Sequence, residues 1–254
     1  MESTPAVPRW EPLNGGVWAA VSDRHTFGVD ALLLAHFASP KTGERVCDLG
    51  TGCGILPLLF LREGRLAWVT GVDIQPEAIS LAQASLERNG WAHRGEMFAA
   101  SWLDLAGLLG AGSFDRVTVN PPYFPPGSGP AGQNPAARIA RQEREDSLSG
   151  LMCSASRLLK NGGRICLCHR PERLPAVFGA MSAAGLEPKR LQPVQNRSGE
   201  APWLVLIEGK KGGHPGLQWK PAWRLDDLAF SRALYRKDLD PPQAQISAAD
   251  SSSS

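Results

Sequence analysis

Short apolar runs with little polar alternation recur along the chain, and the longer stretches between them repeat their apolar residues at helical spacing. Strands buried on both sides carry no polar face, so this alternation predicts a mostly parallel sheet covered by helices on both faces. "RVCDLG" (Arg45 to Gly50) reads as the first strand and "ILPLLFLREG" as a helix that stops at Gly64. "AWVTGVD" (Ala67 to Asp73) is the second strand. It is followed by the helical "PEAISLAQASLERNG", in which Pro76 suits a first turn and Gly90 a C-cap. "GEMFAAS" is a weaker third strand and "DRVTVN" (Asp115 to Asn120) a fourth. A proline-rich loop leads into the helical "EDSLSGLMCSASRLLKNGG", ended by Gly162 and Gly163, and then into a fifth strand, "RICLCHR". The helical "PERLPAVFGAMSAAG" and the strands "KRLQPVQ" and "WLVLIEGKKG" complete the pattern. "DALLLAHFA", Asp30 to Ala38, is a helix added ahead of the first strand.

Composition sharpens this outline without changing it. With 254 residues, 43% of them hydrophobic, the chain can bury one large core. The reading divides it into an N-terminal extension over residues 1–20, a single domain over 21–237 and a polar, Pro/Ser-rich tail over 238–254 that is expected to be disordered. The N-terminus lacks a basic segment followed by an apolar one, and no run reaches membrane-spanning length, so a cytoplasmic protein with no membrane partner is expected. Cys47, Cys53, Cys153, Cys166 and Cys168 are odd in number and scattered, as reduced core thiols would be. Cys166 and Cys168 have no second Cys or His pair at zinc-site spacing, so no metal is expected. The net charge of +2 hides an asymmetry, −4 over residues 1–155, +9 over 156–237 and −3 beyond. A basic C-terminal half suits phosphate contacts and equally a solvated surface.

The candidate chemistry lies at the strand ends. "DLGTGCGI", Asp48 to Ile55, places Gly50, Gly52 and Gly54 in the turn from first strand to first helix, where open parallel sheets bind ligands. A dinucleotide fingerprint would need glycine where Ile55 stands. Asp73 ends the second strand, where a carboxylate can accept from both hydroxyls of a ribose or cap the helix that follows. "NPPY", Asn120 to Tyr123, ends the fourth strand, and its consecutive prolines cannot serve a sheet ladder.

The glycine loop resembles the S-adenosylmethionine site of class I methyltransferases, and Asn120-Pro121-Pro122-Tyr123 resembles the motif of those members that methylate a planar nitrogen, such as adenine N6 or glutamine N5. The order of the motifs along the strands matches as well. The resemblance implies a Rossmann-like fold with a seven-stranded, mostly parallel sheet and S-adenosyl-L-methionine as cofactor. Asp48, Gly50, Thr51, Gly52, Gly54, Asp73, Ile74, Ser101 and Asn120 would then hold the cofactor. Ser101 stands where such families commonly carry Asp beside the adenine, a departure that leaves the adenine contacts open. Asp30 and the preceding "TFGV" can cap the same cleft, or Asp30 can cap its own helix. The lone pair of an exocyclic amine is delocalised, so the site must favour its localised form. The Asn120 side-chain oxygen and the Pro121 carbonyl can each accept one amine N–H, the prolines stiffen the loop, and Tyr123 offers a stacking face. Transfer is then a direct in-line displacement that needs no nucleophilic Ser or Cys, and His169 is structural rather than a base.

The loop after Tyr123 is long and carries Arg138, Arg141 and Arg144. Its "ARIARQE", with "HRPERL" and the late "EGKKGGHPGL", resembles the bacterial tRNA adenine N6-methyltransferase family over most of residues 20–217. That resemblance implies an RNA substrate, with Arg138 and Arg141 facing phosphates or stacking on bases, although Glu143 and Glu145 are equally available to pair with them. A glutamine N5 methyltransferase acting on protein and a non-catalytic binder of S-adenosylmethionine or RNA are the competing readings. The former would carry a helical substrate domain for which there is no room before Arg45, and the latter would not need amine-orienting acceptors.

Overall fold

The computed structural model describes residues 8–64, 66–102, 105–121 and 148–235. The chain begins with β1 (Arg9–Leu13), β2 (Val17–Val21), α1 (Val29–Ala38), β3 (Arg45–Leu49), α2 (Ile55–Arg62) and β4 (Trp68–Asp73). α3 (Pro76–Arg88), β5 (Gly95–Ala99), α4 (Leu105–Leu109) and β6 (Phe114–Val119) follow. A helix over residues 148–158, α5, leads to β7 (Leu159–His169), α6 (Leu174–Ala183), β8 (Leu186–Gln195) and β9 (Leu204–Lys211). The short strands β10 (Gln218–Trp219) and β11 (Trp223–Arg224) precede α7 (Leu228–Tyr235).

The main sheet has the order β10-β8-β9-β7-β6-β3-β4-β5, with β11 also on β8. Strands β3 to β9 are the seven that the sequence pattern anticipates, and β10 and β11 add two-residue edges. Only β9 among these paired strands runs against its neighbours β7 and β8. Apolar residues fill both sides. α1, α2 and α3 cover one face through Leu33, Phe37, Leu58 and Ile79, and α4, α5 and α6 cover the other through Leu105, Met152, Leu158 and Met181. No helix among the described residues is long and apolar enough to cross a membrane.

Two local departures from the sequence reading have clear causes. Residues 9–21, all but the last assigned there to an extension, form an antiparallel hairpin whose turn passes through Gly15 and Gly16 at φ of 80° and 74°. Asn14-Gly15 between two apolar runs is the signal that marks such a turn. The hairpin is held on α3, where the Arg88 guanidinium lies 4.3 Å from the Trp10 ring and 4.8 Å from the Trp18 ring, and Asn89 exchanges hydrogen bonds with the Trp18 backbone. The second departure is the end of α5. The helix was expected to run to Gly162, but Leu159 instead pairs with Phe114 as the start of β7. A bulge with Gly162 at φ 77° then lets Arg164 pair with Arg116. Pairing with β6 outweighs the helical pattern of "SRLLK". The proposed tail, residues 238–254, lies outside the described residues.

Candidate functional site

β3 sits between β4 and β6, so the chain leaves its C-terminal end on one side of the sheet and returns on the other. A crevice opens beyond the strand ends where such a sheet reverses its winding. The glycine loop follows β3 and Asn120 follows β6, and both border one cavity of about 190 Å³. The third wall is the start of α1, with Thr26, Phe27, Gly28 and Asp30.

The three loop glycines serve different ends. Gly50 and Gly52 take φ of 72° and 55°, and a Cβ at either would meet nothing within 4 Å, so glycine is required there by backbone conformation. Gly54 caps α2 at φ 80°, and a Cβ there would stand 2.8 Å from the Ala82 Cβ, so it also permits close packing on α3. The loop is tied to β4 by the N–H groups of Gly50 and Thr51, which donate to the Val72 carbonyl at 2.8 and 2.9 Å. Gly52 N–H donates to Asp73 Oδ2 at 2.9 Å, and Gln75 N–H donates to Asp73 Oδ1 at 3.0 Å. Asp73 is therefore not the N-cap of α3, a position held by Gln75, and each of its oxygens keeps lone-pair capacity toward a ligand. Ile74 beside it is 65% exposed. Ala100 N–H donates to the Asp73 carbonyl at 2.9 Å, which brings the exposed Ser101 to the same rim.

Asp48 lies within the sheet, 1% exposed, and accepts from Thr118 Oγ1 at 2.6 Å. Burial pushes its carboxyl up to about 7, while the Thr118 and Thr51 hydroxyls act to lower it and the nearby Asp73 raises it further. Asn120 is fixed through both ends of its amide. Its Nδ2 donates to Asp30 Oδ2 at 3.4 Å, and its Oδ1 accepts from Cys168 Sγ at 3.0 Å. Because a carboxylate only accepts, Asp30 turns the amide so that nitrogen faces α1 and oxygen faces β7. Pro121 is half-buried beside it. Pro122, Tyr123, Arg138, Arg141 and Arg144 lie outside the described residues.

His169 ends β7, and its Nδ1 accepts from the Arg170 N–H at 2.8 Å. Burial, with the positive charges of Arg173 and Arg170, drives its pKa down to about 4, so it is neutral at pH 7. Sequence reasoning gave Cys168 no part in the site and left Asp30 undecided. Only the alternation of β7, which turns Cys168 toward Asn120, could have pointed to it.

The cavity lining carries the carboxylates of Asp30 and Asp48 and, among the described residues, no basic side chain. That chemistry fits a ligand bearing positive charge and no phosphate. S-Adenosylmethionine, with its sulfonium and ammonium groups, meets that description and a dinucleotide does not.

Comparison with known proteins points to the same cofactor. The methyltransferase small domain family matches residues 21–128. A tRNA1(Val) (adenine(37)-N6)-methyltransferase of Actinobacillus succinogenes is 32% identical over 220 residues, covering 83% of this chain and 90% of that protein. A Porphyromonas gingivalis protein of the same name is 28% identical over 218 residues, covering 84% of this chain and 79% of that one. Among solved structures, a predicted O-methyltransferase from Agrobacterium tumefaciens superposes with a TM-score of 0.63 at 21% identity, over 82% of this chain and 95% of that one.

Proposed function

We propose that this enzyme methylates the exocyclic N6 amine of an adenine in RNA, from the premise that the chain belongs to the family of the tRNA1(Val) (adenine(37)-N6)-methyltransferases. It is an S-adenosylmethionine-dependent methyltransferase. The observation that carries the finer reading is the Asn120 amide, oriented by Asp30 and Cys168 at the edge of the cavity that the glycine loop borders. Pure cofactor binding gives no reason for an oriented acceptor there.

When bound, the cofactor supplies a methyl group on a sulfonium, a leaving group that needs no further activation. Asp73 would accept from the ribose hydroxyls, Ile74 would cover one side of the adenine, and Ser101 would stand at its edge. Gly50, Thr51, Gly52 and Gly54 would let the backbone approach, with Asp48 beneath them facing the positive charge. Asn120 Oδ1 and the Pro121 carbonyl would each accept one N–H of the target amine, which holds its lone pair out of the ring plane. Pro122 would keep that segment stiff, Tyr123 would stack on the base, and Arg138 and Arg141 would meet its phosphates. His169 stays neutral and takes no proton. A tRNA substrate places the enzyme in the cytoplasm.

The test is transfer of labelled methyl from S-adenosylmethionine to unmodified total tRNA and, separately, to total soluble protein, followed by nucleoside and amino-acid analysis. Label in N6-methyladenosine is the expected result. Label in N5-methylglutamine would transfer the reading to a protein substrate, and no label in either would leave a binding role.

A further inference from the structure

Among the described residues, three tryptophans of the basic C-terminal half have very different surroundings. Trp203 is half-buried against Arg170, whose guanidinium lies 5.6 Å from its ring. Trp223 packs against His36 at 5.2 Å and Phe230 at 5.1 Å. Trp219, on the edge strand β10, is 67% exposed, and Leu217 beside it is 41% exposed.

Disorder does not account for that exposure, because the segment is pinned to β8. Lys220 N–H donates to the Leu191 carbonyl at 2.9 Å, Gln192 Nε2 to the Pro221 carbonyl at 2.6 Å, and Lys189 Nζ to the His214 carbonyl at 2.9 Å. A large aromatic held rigidly in solvent is a poor use of apolar surface unless something covers it. Charge narrows what that is. Residues 209–224 carry Lys210, Lys211, Lys220 and Arg224 and no carboxylate. Lys211 turns inward onto the carbonyls of Ser156 and Leu159, and Arg224 pairs with Asp226 and Asp227. Lys220 follows Trp219 in the chain and Lys189 lies two residues before its strand partner Leu191; both are half-buried, and neither forms an ion pair among the described residues. A planar aromatic with two lysines beside it suits a ligand that has flat rings and negative charge together.

We infer that the β10 edge, with Trp219 flanked by Lys189 and Lys220, is a second RNA contact, where an unpaired base stacks on the indole and neighbouring phosphates meet the lysines. The inference rests on the RNA reading above and extends it from one point to two. Four strand spacings separate β10 from β6, so the contact lies roughly 20 Å from Asn120. No mononucleotide spans that distance, whereas a folded RNA does. The site therefore selects for structured RNA over short fragments that carry the same target base.

The test measures retention of unmodified total tRNA at several salt concentrations, together with calorimetric binding of S-adenosylhomocysteine and sedimentation of each variant. Trp219→Ala is expected to weaken tRNA binding about tenfold and Trp219→Phe much less, with cofactor-product affinity and solution mass unchanged. Lys189→Gln and Lys220→Gln are each expected to lower the slope of log affinity against log salt by about one. Trp219→Ala binding tRNA like the wild type would overturn the inference while leaving the RNA reading intact. A fall in solution mass would overturn it in favour of contact between copies of the chain. A wild type that binds no tRNA would remove both readings together.

Discussion

Arg116, Thr118 and Asn120 follow one another along the side of β6 that faces α1, and the two ends of this polar stripe are built differently. At its base, Arg116 is 3% exposed and reaches Glu44 at 2.9 Å and Glu208 at 3.7 Å. Glu208 is also paired with Arg164 and, at 3.1 Å, with Arg190. At the top, Asp48 has a hydroxyl partner in Thr118, and no guanidinium or ammonium lines its cavity among the described residues. Buried charge at the base is matched within the protein, whereas the buried acid at the top has no cation beside it, keeps its proton up to about pH 7 and is left for a cationic ligand to ionise. The lesson is that similar polar burial can be structural or functional, and that the partner set distinguishes them.

The largest expected effect breaks the base. Glu208→Gln leaves three guanidinium groups with less countercharge and should cost about 3 to 5 kcal/mol of folding stability in denaturant titrations, with cofactor affinity of the folded fraction unchanged. Asn120→Ala should do the reverse. Turnover should fall at least about a hundredfold, the scale for losing an oriented polar group in a transition state, while S-adenosylhomocysteine affinity and unfolding midpoint hold. Near-normal turnover would sink the proposed role of the amide.

Asp48 sharpens the contrast through pH. Its carboxyl is raised from 3.8 unfolded to about 7 folded, so the folded state holds the extra proton between those values. The cofactor-free protein should therefore lose stability as pH rises through that window, by at most about 1.4 kcal/mol per pH unit from this group. Asp48→Asn should flatten the dependence, and an unchanged slope in thermal melts from pH 5 to 8 would assign it to other groups. The smallest effect is expected at Asp73. Asp73→Ala should weaken cofactor affinity by roughly 1 to 3 kcal/mol, and unchanged affinity by calorimetry would leave Asp73 only its hold on the Gly52 and Gln75 N–H groups.

Much of the site could be read in the sequence because its parts are local. Glycines that need a positive φ and an acid at a strand end each declare their geometry within a few residues. Asp30 and Cys168 could not be read this way, since each matters only through Asn120, 90 and 48 residues away in the chain. The exposure of Trp219 was equally hidden, because "GLQWKPAW" has the composition of an edge strand and of a buried one alike.

The order of β3 to β9 with α1, α2, α3, α5 and α6, and the candidate residues at the ends of β3, β4 and β6, came from the sequence alone, because hydrophobic period and backbone freedom are properties of neighbouring residues. Three features were settled by the tertiary fold. They are the hairpin clamped on Arg88, the early start of β7 opposite Phe114, and the division of the buried charges into a neutralised base and an open top. Each depends on which distant strands lie side by side, a choice made by packing and pairing across the whole sheet and recorded in no single stretch of chain.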